Sequence, residues 1–352
     1  MTAVDERAAA LLADLVALPG PSGQEEAVMA WLERAWAPHA ERVWHTPVGN
    51  LVAEVGGQGP RLLLQAHADE ISFTVRSIDP AGFLWLTNGQ GRGEPHSRYP
   101  VGQPALVLGR HGPIEGLFAT ATGHIVPDRR REQPLTFDDL FVDIGAQSQE
   151  EARARGVYVG AGVIWNPAPR RLGTRFAGKA LDDRVALAAM TRLLEQLDRS
   201  RLACRLLYAA TVQEENGLLG ASSLAQALTP DAAIALEIGL VGDIPTVGER
   251  QMPTALGQGP LLVHQDASAH YHHRLSWHLA AVAEQAGIPL QHAVFERFGS
   301  DGAELLRQGV PTAMLAVGTR YTHAAFEMID LRDLTQTIAL LEAVVTTPLS
   351  LG

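Results

Sequence analysis

Cysteine is nearly absent: among 352 residues Cys204 stands alone. That excludes an internal disulfide framework and any cysteine-rich zinc site. Lysine is equally scarce, since Lys179 is the one lysine among 28 basic residues. Acids outnumber bases and leave a formal net charge of −11. A nucleic-acid partner calls for a basic stripe along its phosphates, so this balance disfavours one. Aromatic residues make up only 6%, which leaves few platforms for stacking against sugar rings. No apolar run approaches the ~20 residues of a membrane helix. The start carries Asp5 and Glu6 where a signal peptide has only bases. The expected location is the cytoplasm.

What is present is globular. Hydrophobic residues are 46% and charged residues 19%, and at ~150 residues per domain the length suggests about two domains. Leu11, Leu12, Leu15 and Val16 share one helical face. The Pro19–Gly23 segment breaks that helix, and Ser22 with Glu25 reads as a capping box opening a second helix with Val28, Leu32 and Trp36 on its stripe. From residue 72 to 163 short β-type runs alternate with Gly and Pro turns. Gly89–Gly93 reads there as a turn, and Asp128–Glu132 as an exposed loop. From residue 174 onward helices and strands alternate, including an amphipathic helix over 185–197 and another helix over 218–228. The pattern predicts an α/β domain with a mixed or largely parallel sheet at 1–71 and 164–352, interrupted by a small, mostly β domain at 72–163.

The acids and histidines are placed unusually. His67, Asp69 and Glu70 follow one predicted strand, Asp182 and Asp183 open a helix, Glu214 and Glu215 end a second strand, and His323 follows another. Glu237 interrupts the apolar run Ala233–Ile238, where a carboxylate is costly to bury unless it is paired or bound to a metal. Open α/β sheets build their sites beyond the carboxyl ends of the strands. Two histidines with several carboxylates there suit Zn²⁺, Co²⁺ or Mn²⁺. His270, His272 and His273 read instead as a surface or helix start, and Cys204 as a small core residue.

Four motifs together resemble the M42 metallo-aminopeptidases: Ala66–Ile71 (AHADEI), Gly178–Arg184 (GKALDDR), Val212–Gly217 (VQEENG) and Thr319–His323 (TRYTH). The resemblance spans nearly the whole chain. It implies a zinc-peptidase-type catalytic domain, an aminopeptidase activity on short peptides, and two divalent ions per subunit, Zn²⁺ or Co²⁺. His67 and Glu237 would bind one ion, Glu215 and His323 the other, and Asp182 both. Glu214 would be the general acid/base, and Asp69 would orient the His67 ring. Lys179 and Arg184 would support the Asp182 turn, and Asp301 resembles the family's Gly-Thr-Asp segment. Glu237 departs from the Asp that many relatives carry. The resemblance also implies dimers assembling into a dodecamer, with the inserted domain serving assembly. A related metal-dependent deacylase or carboxypeptidase stays open, as does a two-carboxylate glycosidase of endoglucanase type and a catalytically silent scaffold.

Overall fold

The computed structural model describes residues 3–88, 96, 97, 99–126 and 133–350. The Gly89–Gly93 turn and the Asp128–Glu132 loop lie outside the described residues. Two units separate. The larger holds Met1–Asp69, Pro169–Thr322 and Glu327–Gly352, and the smaller holds Glu70–Ala168 and His323–Phe326.

The larger unit opens with helices α1 (Glu6–Ala17) and α2 (Glu26–Trp36) and strands β1 (Arg42–His45), β2 (Leu51–Gly56) and β3 (Arg61–His67). The smaller contributes β4 (Phe73–Ile78), β5 (Leu84–Asn88), β6 (Pro104–Gly109), β7 (Gly112–Ala119), β8 (Phe141–Asp143), helix α3 (Gln149–Ala154) and β9 (Gly162–Trp165). The larger resumes with β10 (Arg170–Leu172), β11 (Arg175–Gly178), α4 (Leu181–Gln196), β12 (Arg205–Thr211), α5 (Leu224–Leu228) and β13 (Ala232–Leu240). It ends with β14 (Leu261–Gln265), α6 (His273–Ala286), β15 (Gln291–Val294), α7 (Gly302–Arg307), β16 (Thr312–Arg320), β17 (Glu327–Asp330) and α8 (Leu331–Val345).

One mixed sheet organises the larger unit in the order β1-β2-β12-β3-β13-β16-β17-β11-β10, with β14 and β15 branching from β16. Its centre is parallel: β12 pairs with β3, β3 with β13, and β13 with β16. All four therefore end at one edge. Alternation along β13 sends Ile234, Leu236 and Ile238 into the core shared with α1, α4 and α8. Ala233 faces the opposite core, with Leu224 of α5 and Leu305 of α7. Glu237 belongs by the same alternation to that second face, which is why it breaks the apolar run without entering the larger core.

Helix α4 is buried on nearly every side, from Leu181 through Thr191, where the sequence predicts an amphipathic helix. It packs against α1, α8, β3 and β13 at once, so little of its surface meets water. Trp36 ends α2 fully buried, its Nε1 donating to Thr191 Oγ1 at 3.0 Å and its ring edge-on to Tyr208 at 5.5 Å. Cys204 is buried just before β12, and burial pushes its thiol up to about 12.

Two local expectations are corrected. The Ser22–Glu25 box does not cap α2, whose N-cap Glu25 makes no side-chain capping bond; Ser22 turns to Asp69, and Glu25 to Gly23 and Gln213. The helix expected over 218–228 shortens to α5. Gly217 and Leu218 both take positive φ, +104° and +64°, and the chain first doubles back, Gly220 N donating to Val212 O at 2.9 Å.

The smaller unit is a closed barrel in the order β4-β5-β8-β7-β6-β9. Closure gives each of these strands a neighbour on both sides, which removes the open edges of a flat sheet. Phe73 sits in its core, meeting Phe118 and Trp165 edge-on at 5.1 Å each. Among the described residues no helix is long and apolar enough to cross a membrane.

Candidate metal centre

The parallel register carries distant residues to one edge. Thr211 of β12 pairs with His67 of β3, and Gln65 of β3 pairs with Ala235 of β13. Two residues further along, His67 and Glu237 stand level. Glu214 and Glu215 follow just beyond the end of β12, and Asp182 sits at the head of α4 with non-helical φ/ψ of −76° and 103°. His323 lies on the loop between β16 and β17. His67, Asp69, Asp182, Glu214 and Glu237 are all buried.

His67 Nε2 lies 2.9 Å from Asp182 Oδ1 and 3.6 Å from Glu237 Oε1. Ligands of one tetrahedral ion, each at ~2.0–2.1 Å, stand about 3.3 Å apart, so these spacings bracket what a bound divalent cation requires. Within the larger unit two donor groupings each fit within 4.8 Å: His67 with Asp182 and Glu237, and His67 with Glu214 and Glu215. Of these residues, His67, Asp182, Glu214 and Glu215 fall within the sequence motifs, and Glu237 is the acid that interrupts the apolar run of β13.

The charge balance points the same way. Burial raises the Asp183 and Glu214 carboxyls well above their ordinary range and holds Glu237 up at about 7. Burial alone would discharge the His67 ring, yet Glu237, Asp182 and Asp69 outweigh it and raise its pKa. Crowding so many carboxylates out of water is costly unless they are protonated or meet added positive charge. Nitrogen and oxygen donors with no thiolate suit divalent cations of borderline hardness. The residues present therefore fit such ions.

Supporting groups surround these side chains, some inside the motifs (Asp69, Lys179, Arg184) and some, such as Ser22, Glu25 and Glu327, outside them. Asp69 lies 3.3 Å from His67 Nδ1, an ion-pair separation without hydrogen-bond alignment. Its oxygens instead accept from Glu214 N at 2.9 Å, Glu215 N at 3.2 Å and Ser22 Oγ at 2.6 Å. Glu25 Oε1 accepts from Gly23 N at 2.7 Å and Gln213 N at 3.1 Å. Glu327 accepts the Asp182 N–H at 2.8 Å. Asp301 Oδ2 accepts from Gln65 Nε2 at 2.6 Å and Thr211 Oγ1 at 2.5 Å, and its Oδ1 is buried without a hydrogen-bond partner among the described residues. Lys179 donates to Leu18 O at 2.9 Å and Arg184 to Leu15 O at 3.0 Å, tying the Asp182 turn to the end of α1. Gly20 packs close beside Arg184, and a Cβ there would lie 2.5 Å from the guanidinium, which would have to shift. His272 is the N-cap of α6, its Nδ1 accepting from Leu275 N at 3.3 Å.

Residues 49–340 match the family described as M42 glutamyl aminopeptidase. The chain is 30% identical to the lysyl aminopeptidase of Pyrococcus furiosus over 348 residues, 95% of each chain. A TET aminopeptidase from the marine sediment archaeon Thaumarchaeota archaeon SCGC AB-539-E09 superposes with a TM-score of 0.92 at 30% identity, over 97% of this chain and 96% of that one. The TET1 peptidase of Pyrococcus horikoshii, which can assemble into a tetrahedron or a large octahedral shell, superposes with a TM-score of 0.86 at 28% identity, over 96% and 99%.

Proposed function

Since the chain belongs to the M42 glutamyl aminopeptidase family and is a peptide hydrolase, we propose that it removes N-terminal residues from short peptides at a centre for two divalent cations, Zn²⁺ or Co²⁺. His67 and Glu237 would hold one ion, Glu215 and His323 the other, and Asp182 would serve both. The observation that carries this reading is the pair of donor groupings that share His67, one with Asp182 and Glu237 and one with Glu214 and Glu215. When bound, the two ions supply positive charge that polarises the scissile carbonyl and acidifies a water.

The chain's own residues do the rest. Glu214 takes the proton of the attacking water and delivers it to the leaving amine nitrogen. Asp69 holds the Glu214 and Glu215 amides, so the acid/base and its neighbouring ligand keep a fixed relation. Glu327 anchors Asp182 from behind through its backbone N–H. Burial of the cluster keeps bulk water from screening it.

Metal analysis and steady-state kinetics on Glu214→Gln and Glu215→Gln, side by side, test the roles. Glu214→Gln should keep both ions and lose about 10²–10⁴-fold in kcat. Glu215→Gln should lose occupancy at one position and recover in part with excess metal. The reverse outcome would exchange the two roles, and no effect from either would place the site elsewhere.

The barrel unit is assigned to assembly, with dimers building a dodecamer. Light scattering on the full chain should report a particle far larger than one 352-residue subunit. A fully active monomer would contradict this assignment.

A further inference from the structure

Four successive backbone N–H groups lead from the end of β12 into the turn that carries Glu214 and Glu215. Each is accepted by a side-chain oxygen. Val212 N donates to Asn50 Oδ1 at 3.1 Å, Gln213 N to Glu25 Oε1 at 3.1 Å, Glu214 N to Asp69 Oδ1 at 2.9 Å and Glu215 N to Asp69 Oδ2 at 3.2 Å. Asn50 closes the far side as well, its Nδ2 donating to Gly220 O at 2.9 Å. Gly220 admits this approach only because it lacks a side chain, since a Cβ would fall 2.5 Å from Asn50 Oδ1.

Within this cradle Glu25 has the least obvious reason to be where it is. It stands at the N-cap of α2 but makes no side-chain bond to that helix. Its carboxylate turns instead to Gly23 and Gln213, with the residue only 5% exposed. Gln213 is held at φ +52°, a conformation that residues bearing a Cβ adopt rarely. A buried N–H without an acceptor is costly, so removing the Glu25 oxygen frees Gln213 to leave that conformation. The next residue in the chain is Glu214, and any relaxation at Gln213 swings its carboxyl.

We infer that Glu25 is a positioning residue for Glu214: by accepting the Gln213 N–H it fixes the turn on which the acid/base is carried. The inference rests on the reading of Glu214 as acid/base. It predicts an effect on turnover rather than on binding, because a displaced proton-transfer group is felt in the transition state.

The test is a double-mutant cycle on the metal-loaded enzyme with an aminoacyl-nitroanilide. Glu25→Ala should lower kcat about 10–100-fold, the scale of a misplaced catalytic group, with KM and bound metal unchanged. Glu25→Gln presents the same kind of acceptor oxygen and should recover most of the rate. Combined with Glu214→Gln, Glu25→Ala should add less than about twofold, since the group it positions is gone. Glu25→Asp withdraws the oxygen by one methylene and should lie between; it carries the test if Glu25→Ala does not fold. The inference is overturned if Glu25→Gln is as slow as Glu25→Ala, if Glu25→Asp matches wild type, or if Glu25→Ala costs the same factor with and without Glu214. Glu214→Gln alone reports on the underlying reading: if it turns over normally, that reading fails whatever the Glu25 variants do, and this inference falls with it.

Discussion

Asp69→Asn is the substitution from which the structure predicts most. Three donors converge on the two oxygens of a fully buried carboxylate: Glu214 N on Oδ1, and Glu215 N with Ser22 Oγ on Oδ2. Asparagine offers one oxygen and one NH₂ group. In either flip the NH₂ faces a backbone N–H, Glu214's or Glu215's, so at least one buried donor loses its acceptor. Stranding a donor costs about 1–3 kcal/mol, and the remaining bonds weaken because their acceptor is no longer charged. A total of about 2–4 kcal/mol follows, which corresponds to roughly 30–1000-fold faster amide exchange if the turn opens locally. Hydrogen exchange on a peptide spanning residues 212–216, read beside kcat, makes the measurement. The expected result is deprotection of that peptide together with at least tenfold slower turnover. Unchanged protection with weakened metal binding would refute the clamp and return Asp69 to orienting His67.

Asp330 supplies a pH test away from the centre. It accepts from Arg332 N at 2.9 Å at the head of α8, lies 2.9 Å from Arg175 Nη1 and 2.7 Å from Arg332 Nη2. Burial pushes its carboxyl up, but these donors outweigh burial and leave it below its ordinary value. A depressed folded-state pKa contributes stability that is complete above the unfolded value of about 3.9 and is lost as pH falls through the folded value. Wild type should therefore exceed Asp330→Asn by about 1–3 kcal/mol near neutrality, and the gap should narrow in acid; a gap that stays constant in denaturant titrations down to about pH 3 would contradict the assignment. Trp36→Ala should cost about 3–5 kcal/mol of stability, since it empties a fully buried site and strands Thr191 Oγ1; a loss below about 1 kcal/mol by urea unfolding would show that the core closes over the gap.

Much of the centre is legible in the sequence, and the reason is physical. A carboxylate inside an apolar strand, such as Glu237, violates the hydrophobic pattern strongly enough to demand a partner. Residues at the ends of parallel strands converge because of the topology, so the strand pattern alone brings His67, Glu214 and Glu215 together. The supporting groups are not legible in the same way. Ser22 and Glu25 have the spacing of a capping box, and local spacing cannot reveal that Asp69 and Gln213 compete for them and win. Asn50 and Glu327 accept from backbone amides distant in sequence, and such bonds leave no periodic trace. The helix expected over 218–228 is cut short for a related reason: its apolar spacing is adequate, but positive φ at Gly217 and Leu218 serves the turn that returns the chain to Val212. Helix α4 reads as amphipathic because Arg192 and Glu195 stand out near its end, whereas its first three turns are enclosed.

The ions decide whether these side chains are the ligands of a working centre. Elemental analysis of the purified chain, before and after dialysis against a chelator and again after readdition of Zn²⁺ or Co²⁺, measures them directly, with aminopeptidase turnover followed in the same samples. Two divalent ions per chain are predicted, with turnover lost as they leave and regained as they return. Full turnover in protein holding no divalent metal would contradict the assignment of His67, Asp182, Glu215, Glu237 and His323 as ligands, and with it the metal centre itself.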